Sequence, residues 1–167
     1  MKKKAIVLLN MGGPNNLSEV EIFLKNMFAD YNVLRIKNKF IRKLIGRTIT
    51  FLRTKKSQQM YEKIGGKSPI VEHTKKLVSV LETLIMDPDL IVEFAMRYTP
   101  PFADTVAQHL KDLGVTHVYL IPLYPQYSSS STYSSIEDFA QSVKNIGWKD
   151  INIDSIENFI RMNFITV

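Results

Sequence analysis

Apolar residues run along the chain in two rhythms. Residues 5–10, 90–98, 116–124 and 151–156 are strand-like; the second and third are long, and the first is an almost unbroken apolar run. Runs of that kind suit strands covered on both faces, and therefore a parallel sheet. Between them apolar residues repeat at helical spacing. Ser18-Glu19-Val20-Glu21 has the form of a capping box, with Ile22, Phe23 and Met27 as the stripe behind it. Phe40, Ile41, Leu44, Ile45, Ile49 and Leu52 form a second stripe, with Arg42, Lys43, Gly46 and Arg47 on the opposite face. Further helices are predicted from about Glu72 to Met86, from Thr99-Pro100-Pro101 to Gly114, and from Ser135 to Gly147, with a last one from Asn158. The order β-α-α-α-β-α-β-α-β predicts an α/β fold: an open, mainly parallel four-stranded sheet flanked by helices, a Rossmann-like domain.

Composition narrows the class. A chain of 167 residues fits one domain and can bury roughly 70% of its unfolded surface. With no cysteine there is no disulfide framework, no thiolate metal ligand and no cysteine nucleophile. That composition is compatible with a cytoplasmic protein. The start, Met1-Lys2-Lys3-Lys4-Ala5-Ile6-Val7-Leu8-Leu9, imitates a signal peptide, but its apolar run stops at Asn10, so it reads as a first strand. No apolar run reaches the ~20 residues of a membrane-spanning helix.

Charge changes the picture more. Residues 31–70 hold eleven Lys or Arg and one acid, Glu62, while the remainder is mildly acidic. Such a segment is either a solvated helix face or a surface for an anionic partner: nucleic acid, membrane headgroups or a carboxylate-bearing ligand. Aromatics do not interleave with these charges as a stacking platform requires, so no nucleic-acid partner is expected.

In open α/β sheets ligands sit beyond the carboxyl ends of the strands. Those ends are Asn10-Met11-Gly12-Gly13-Pro14, Arg97-Tyr98-Thr99-Pro100, and Pro125-Gln126-Tyr127 running into the serines Ser128 to Ser131. Met11-Gly12-Gly13-Pro14 is neither G-x-G-x-x-G nor a Walker loop. Its glycines suit a tight turn close to a flat ligand, and Met11 reads either as a soft contact to an aromatic face or as ordinary core. Ile64-Gly65-Gly66-Lys67-Ser68-Pro69-Ile70 leads into a helix whose start can receive a carboxylate or phosphate. Arg53, Lys55, Lys56 and Tyr61 lie upstream, and arginine, which holds carboxylates bidentately, makes Arg53 the most specific of these. Arg97 and Tyr98 end a strand and either reach the ligand side or, for Arg97, form a local salt bridge. His73, His109 and His117 lack metal-ligand spacing, and no G-x-S-x-G elbow makes the serines a hydrolase nucleophile.

Together LLNMGGP at residues 8–14, IGGKSPI at 64–70, MRYTPP at 96–101 and YPQYSSSST at 124–132 resemble the N-terminal motifs of the ferrochelatase family, the chelatases that put iron into porphyrins. Tyr133 departs from that pattern, as does Leu52, where the family often has a second basic residue beside the one matched to Arg53. The resemblance implies two similar chelatase-like α/β domains with the porphyrin between them, of which residues 1–167 are the N-terminal one. Residues 31–56 are similar to a basic lip that touches membrane in some members. The histidine and glutamate associated with metal delivery and proton removal belong to the other half, so no catalytic residue and no metal ligand is carried over.

The porphyrin-side residues implied by the resemblance are Met11, Gly12, Gly13, Arg53, Tyr61, Ser68, Arg97, Tyr98, Tyr124, Ser128 and Ser135, with Ser129 to Ser131 in the same loop. The expectation is therefore the N-terminal half of an enzyme that inserts ferrous iron into protoporphyrin IX for haem biosynthesis. Porphyrin and ferrous iron are substrates, no tightly bound cofactor is expected, and the chain alone is expected to be inactive. The expected location is cytoplasmic, with peripheral membrane contact through the basic lip. The rival readings are a non-catalytic porphyrin- or haem-binding module and a half-size chelatase acting as a homodimer.

Overall fold

The strand β1 (Lys3–Asn10) is the spine of the molecule because both its faces are apolar. The structure, a computed structural model, describes residues 3–156. Around β1 it places β2 (Leu90–Met96), β3 (Val115–Pro122) and β4 (Asn152–Ser155) in the order β2-β1-β3-β4, every pair parallel. This is the open parallel α/β sheet that the apolar runs predict. The register brings Asn10 opposite Met96 and Leu9 opposite Pro122, so three strands end at one level.

Six helices' worth of sequence pattern resolves into five helices: α1 (Glu19–Ala29), α2 (Lys39–Glu62), α3 (Ile70–Ile85), α4 (Ala103–Asp112) and α5 (Ser134–Asn145). The sixth, expected from Asn158, lies outside the described residues. On one face of the sheet Ala5, Val7, Leu9, Val118 and Leu120 pack with Ala107 and Leu110 of α4 and Phe139 of α5. On the other, Leu8, Phe94 and Met96 meet Val71 of α3. Full burial of such side chains is worth roughly 1.5–3 kcal/mol each, which is why the unbroken run at β1 specifies its central place.

Two local expectations are corrected. Ser18 makes no capping bond to α1. Asn16 Oδ1 instead accepts from Glu19 N at 3.1 Å, and Glu19 Oε2 accepts from Asn15 N at 3.0 Å. The arrangement resembles a capping box displaced upstream, with Asn15 N–H in place of the cap residue's own backbone donor. The second correction is larger. Phe40, Ile41, Leu44, Ile45 and Leu52 of α2 are exposed, and the buried positions of that helix are Gly46 and Thr50. The close crossing with α1 selects a residue without a side chain, Gly46, over the greasiest stripe. Arg42, expected to face away, donates to Ala29 O at 3.0 Å and to Ile36 O at 2.7 Å.

Candidate functional site

The three strand ends that share a level are tied by their own backbone. Arg97 N donates to Asn10 O at 2.8 Å, Tyr98 N to Met11 O at 3.0 Å, and Leu123 N to Leu9 O at 2.7 Å. Ser68 N donates to Pro14 O at 2.7 Å, which brings the second glycine turn against the first. Gly13 N donates to Thr99 Oγ1 at 3.1 Å. Met11, Gly12, Gly13, Ser68 and the backbone of Tyr98 therefore form one cluster.

The glycines serve that cluster in a way the sequence does not reveal. Gly12 has φ +80°, where a side chain is strained, and a Cβ there would collide with Thr99 Oγ1 and lie 3.0 Å from Met96 Cβ. A Cβ on Gly13 would stand 2.5 Å from Ser68 Oγ. The space left by both glycines is thus taken by the protein's own residues, and Met11 is the part of the turn that stays open, 36% exposed.

The serine-rich stretch is neither a linker nor an irregular loop. Ser129–Tyr133 form a single π-helical turn that runs straight into α5. Ser128 Oγ pairs with Ser131 Oγ at 2.6 Å and with Ser130 Oγ at 3.3 Å, closing the turn on itself. Tyr124 OH and Ser135 Oγ are 2.8 Å apart, linking the end of β3 to the start of α5. Burial raises the Tyr124 hydroxyl to about 12, so it keeps its proton at neutral pH.

Arg97 and Tyr98 are turned inward. Tyr98 is buried, edge-on to Phe23 with ring centroids 6.2 Å apart, and its OH donates to Asp30 Oδ2 at 2.9 Å. Desolvation, reinforced by the Asp30 charge, raises its pKa strongly. The Arg97 guanidinium sits 3.1 Å from Asp30 Oδ2 and 3.2 Å from Asp138 Oδ1, the salt-bridge alternative left open by the sequence. These groups edge a polar cavity of about 470 Å³ lined also by Asn26, Phe102 and Asp104. Burial raises the Asp138 carboxyl even though Arg97 pulls it the other way.

No side-chain hydrogen bond among the described residues draws Arg53 or Tyr61 into the cluster of turns, although the Tyr61 carbonyl accepts from Gly66 N of the second glycine turn at 2.8 Å. Both lie on α2, about 12 Å of helix axis apart. Arg53 is exposed, while Tyr61 packs against the buried cluster that holds Phe23, Phe28 and Tyr98, and desolvation raises its hydroxyl. Of the histidines, His117 Nε2 lies 2.8 Å from Asp154 Oδ2 and His109 Nε2 3.7 Å from Glu93 Oε1. Among the described residues no three His, Cys, Asp or Glu side chains converge on a point where a metal ion would fit. Asp30, Ser134 and Asp138 were not singled out by sequence patterns. For Asp30 a signal existed: a carboxylate at the carboxyl end of a helix is disfavoured by the helix dipole and needs specific partners.

A parallel sheet whose strand ends, glycine turns and hydroxyl-bearing turn converge at one end is an α/β domain of the Rossmann-like class, a class in which ligands sit beyond the carboxyl ends of the strands. Its family follows from comparison with known proteins. The chain belongs to the ferrochelatase family, whose model, described as Ferrochelatase, matches residues 3–166. It is 59% identical over 141 residues to a ferrochelatase of Sulfurimonas denitrificans, covering 84% of this chain and 44% of that protein. Identity to a ferrochelatase of Nitratiruptor sp. is 52% over 145 residues, covering 87% of this chain and 46% of the relative. A Helicobacter pylori ferrochelatase is 46% identical over 157 residues, covering 94% and 46%. The chain thus spans less than half the length of these relatives.

Proposed function

We propose that this chain is the porphyrin-binding N-terminal half of a ferrochelatase, and that alone it binds the macrocycle but inserts metal no faster than solution does. The observation that carries the reading is the joining of four family motifs at one edge of the sheet: the Met11 turn, the Ser68 turn, the Arg97–Thr99 turn and the Tyr124–Ser135 pair. A porphyrin is a broad apolar disc with carboxylates at one edge. Met11 offers a soft apolar contact, and Ser68, Tyr124 and the serine turn offer hydroxyls.

Metal insertion also requires loss of two pyrrole protons to bases with suitable pKa values. Tyr98 and Tyr124 hold their own protons too tightly for that task. Ferrous iron and porphyrin are substrates in this reading, and the proton-accepting groups belong to the other half of the relatives' length.

The test is a spectrophotometric titration with protoporphyrin, repeated with coproporphyrin, followed by ferrous iron or zinc under anaerobic conditions. A spectral shift without faster insertion supports the proposal. Accelerated insertion would instead favour a half-size chelatase that rebuilds a full site from two copies. No spectral change with either porphyrin would sink the reading.

The exposed face of α2 favours a second element of function. Phe40 is 77% exposed, Phe51 83% and Leu52 71%, and Lys39, Lys43, Arg47, Lys55 and Lys56 surround them. Apolar side chains ringed by cations suit the surface of an anionic membrane. No helix among the described residues is long and apolar enough to cross one. Peripheral contact through residues 31–56 is the corresponding proposal.

A further inference from the structure

Three segments far apart in sequence close on one carboxylate. Asp30, at the carboxyl end of α1, has a side chain only 3% exposed. Its Oδ2 accepts from Tyr98 OH at 2.9 Å, from Arg97 Nη2 at 3.1 Å, and from Ser134 Oγ. Its Oδ1 accepts from Asn32 N at 2.8 Å. Ser134 Oγ in turn accepts from Arg97 Nε at 2.8 Å, so each donor in the group has a defined acceptor.

A buried charge of this kind contributes little stability over a well-packed apolar replacement. What it supplies is geometry. Arg97 and Tyr98 close the end of β2 onto Asn10 and Met11 through their backbone N–H groups. Ser134 is the first residue of α5, directly after the serine turn and directly before Ser135, the partner of Tyr124. The segment that follows Asp30 grips the same region twice more: Asn32 Nδ2 donates to Glu137 Oε2 at 3.0 Å, and Arg35 Nη2 to Ser129 Oγ at 2.8 Å. Asp30 thus joins the Met11 turn to the serine turn without lying in either.

We propose that Asp30 is a positioning residue for the porphyrin site: it holds Arg97, Tyr98 and Ser134 so that the serine turn and the Tyr124–Ser135 pair keep their place relative to Met11. The inference rests on the porphyrin-binding reading above. In this reading Asp30, with a side chain only 3% exposed, makes no ligand contact of its own. It acts through Ser134 on one side and through the backbone of Arg97 and Tyr98 on the other.

The experiment compares the wild-type chain with Asp30→Asn and Ser134→Ala, using protoporphyrin as the probe, with thermal unfolding and arginine side-chain NMR as parallel readouts. Ser134→Ala removes the Ser134 bond to Asp30 and the acceptor of Arg97 Nε–H, and leaves Asp30 with Arg97 Nη2, Tyr98 and Asn32. The expected result is a loss of porphyrin affinity of about tenfold or more in each variant. The losses should not add in the double variant, because both break the same connection. In both variants the Arg97 Nε–H resonance should lose its protection from exchange while the folded baseline persists. If Asp30→Asn does not fold, Ser134→Ala decides alone. Wild-type affinity in a folded Ser134→Ala chain overturns the inference while leaving the function intact. A wild-type chain that binds no porphyrin overturns the functional reading and this inference with it.

Discussion

Gly46 of α2 lies flat on the carbonyl of Phe28 in α1: a Cβ at Gly46 would stand 2.8 Å from that oxygen. The contact explains why α2 buries its smallest residue. Two helices can approach this closely only where one of them lacks a side chain, and the geometry then fixes which side of α2 faces α1.

Gly46→Ala should therefore act against helix propensity. In an exposed helix interior the change stabilises by up to ~1 kcal/mol. Here overpacking should prevail and destabilise by about 1–3 kcal/mol, read from urea unfolding at constant m-value. A gain in stability would mean that α1 and α2 separate without cost.

Gly12→Ala should be harsher. The φ of +80° alone costs of order 1–3 kcal/mol for a residue with a side chain, and Thr99 Oγ1 adds a collision. Pairing it with Thr99→Ala removes the collision but leaves the strain and the loss of the Gly13 N–H partner. The double variant should recover part of the midpoint and no more. Full recovery would show that the backbone conformation at Gly12 is unimportant.

Asp138 makes a pH prediction. Its carboxyl is raised above its ordinary value of 3.8, so the folded protein holds that proton more tightly than the unfolded chain does. The resulting stabilisation is complete below the unfolded value and lost as pH rises through the folded one. Asp138→Asn cannot titrate. Wild-type stability should fall relative to the variant as pH rises above the ordinary carboxyl value of 3.8, measured by urea melts at increasing pH. A change of opposite sign would mean that the Arg97 ion pair outweighs burial.

On the outer face of α2, Phe51→Ser with Leu52→Ser should change stability by no more than ~0.5 kcal/mol per site, since both side chains are exposed. The same pair should weaken cosedimentation with vesicles rich in anionic lipid. Unchanged vesicle binding would remove the apolar half of the proposed membrane contact.

Much of the fold was legible because its signals are local or close to local. The apolar run at β1 has no face that could meet water, so it had to be central. Gly114 and Gly147 follow the ends of α4 and α5, where the patterns predict stops. Boundaries moved by a few residues: β2 ends at Met96 and β3 at Pro122, both short of the expected tyrosines, because the backbone turns there to bond β1's carbonyls and the loop.

What the sequence by itself determined is the order of elements, the parallel sheet, the strand ends that meet at one level, and the family. These follow from periodicity and short motifs, which one stretch of chain can carry. Only the tertiary structure decided which face of α2 is buried, what fills the space beside Gly12 and Gly13, and where Arg97 points. Each of those depends on a partner far away in the chain: Phe28 for Gly46, Thr99 for Gly12, and Asp30 with Asp138 for Arg97. A helical stripe states which residues are apolar, but which side meets the neighbour is set by how closely two backbones approach, and that distance exists only after the chain has folded.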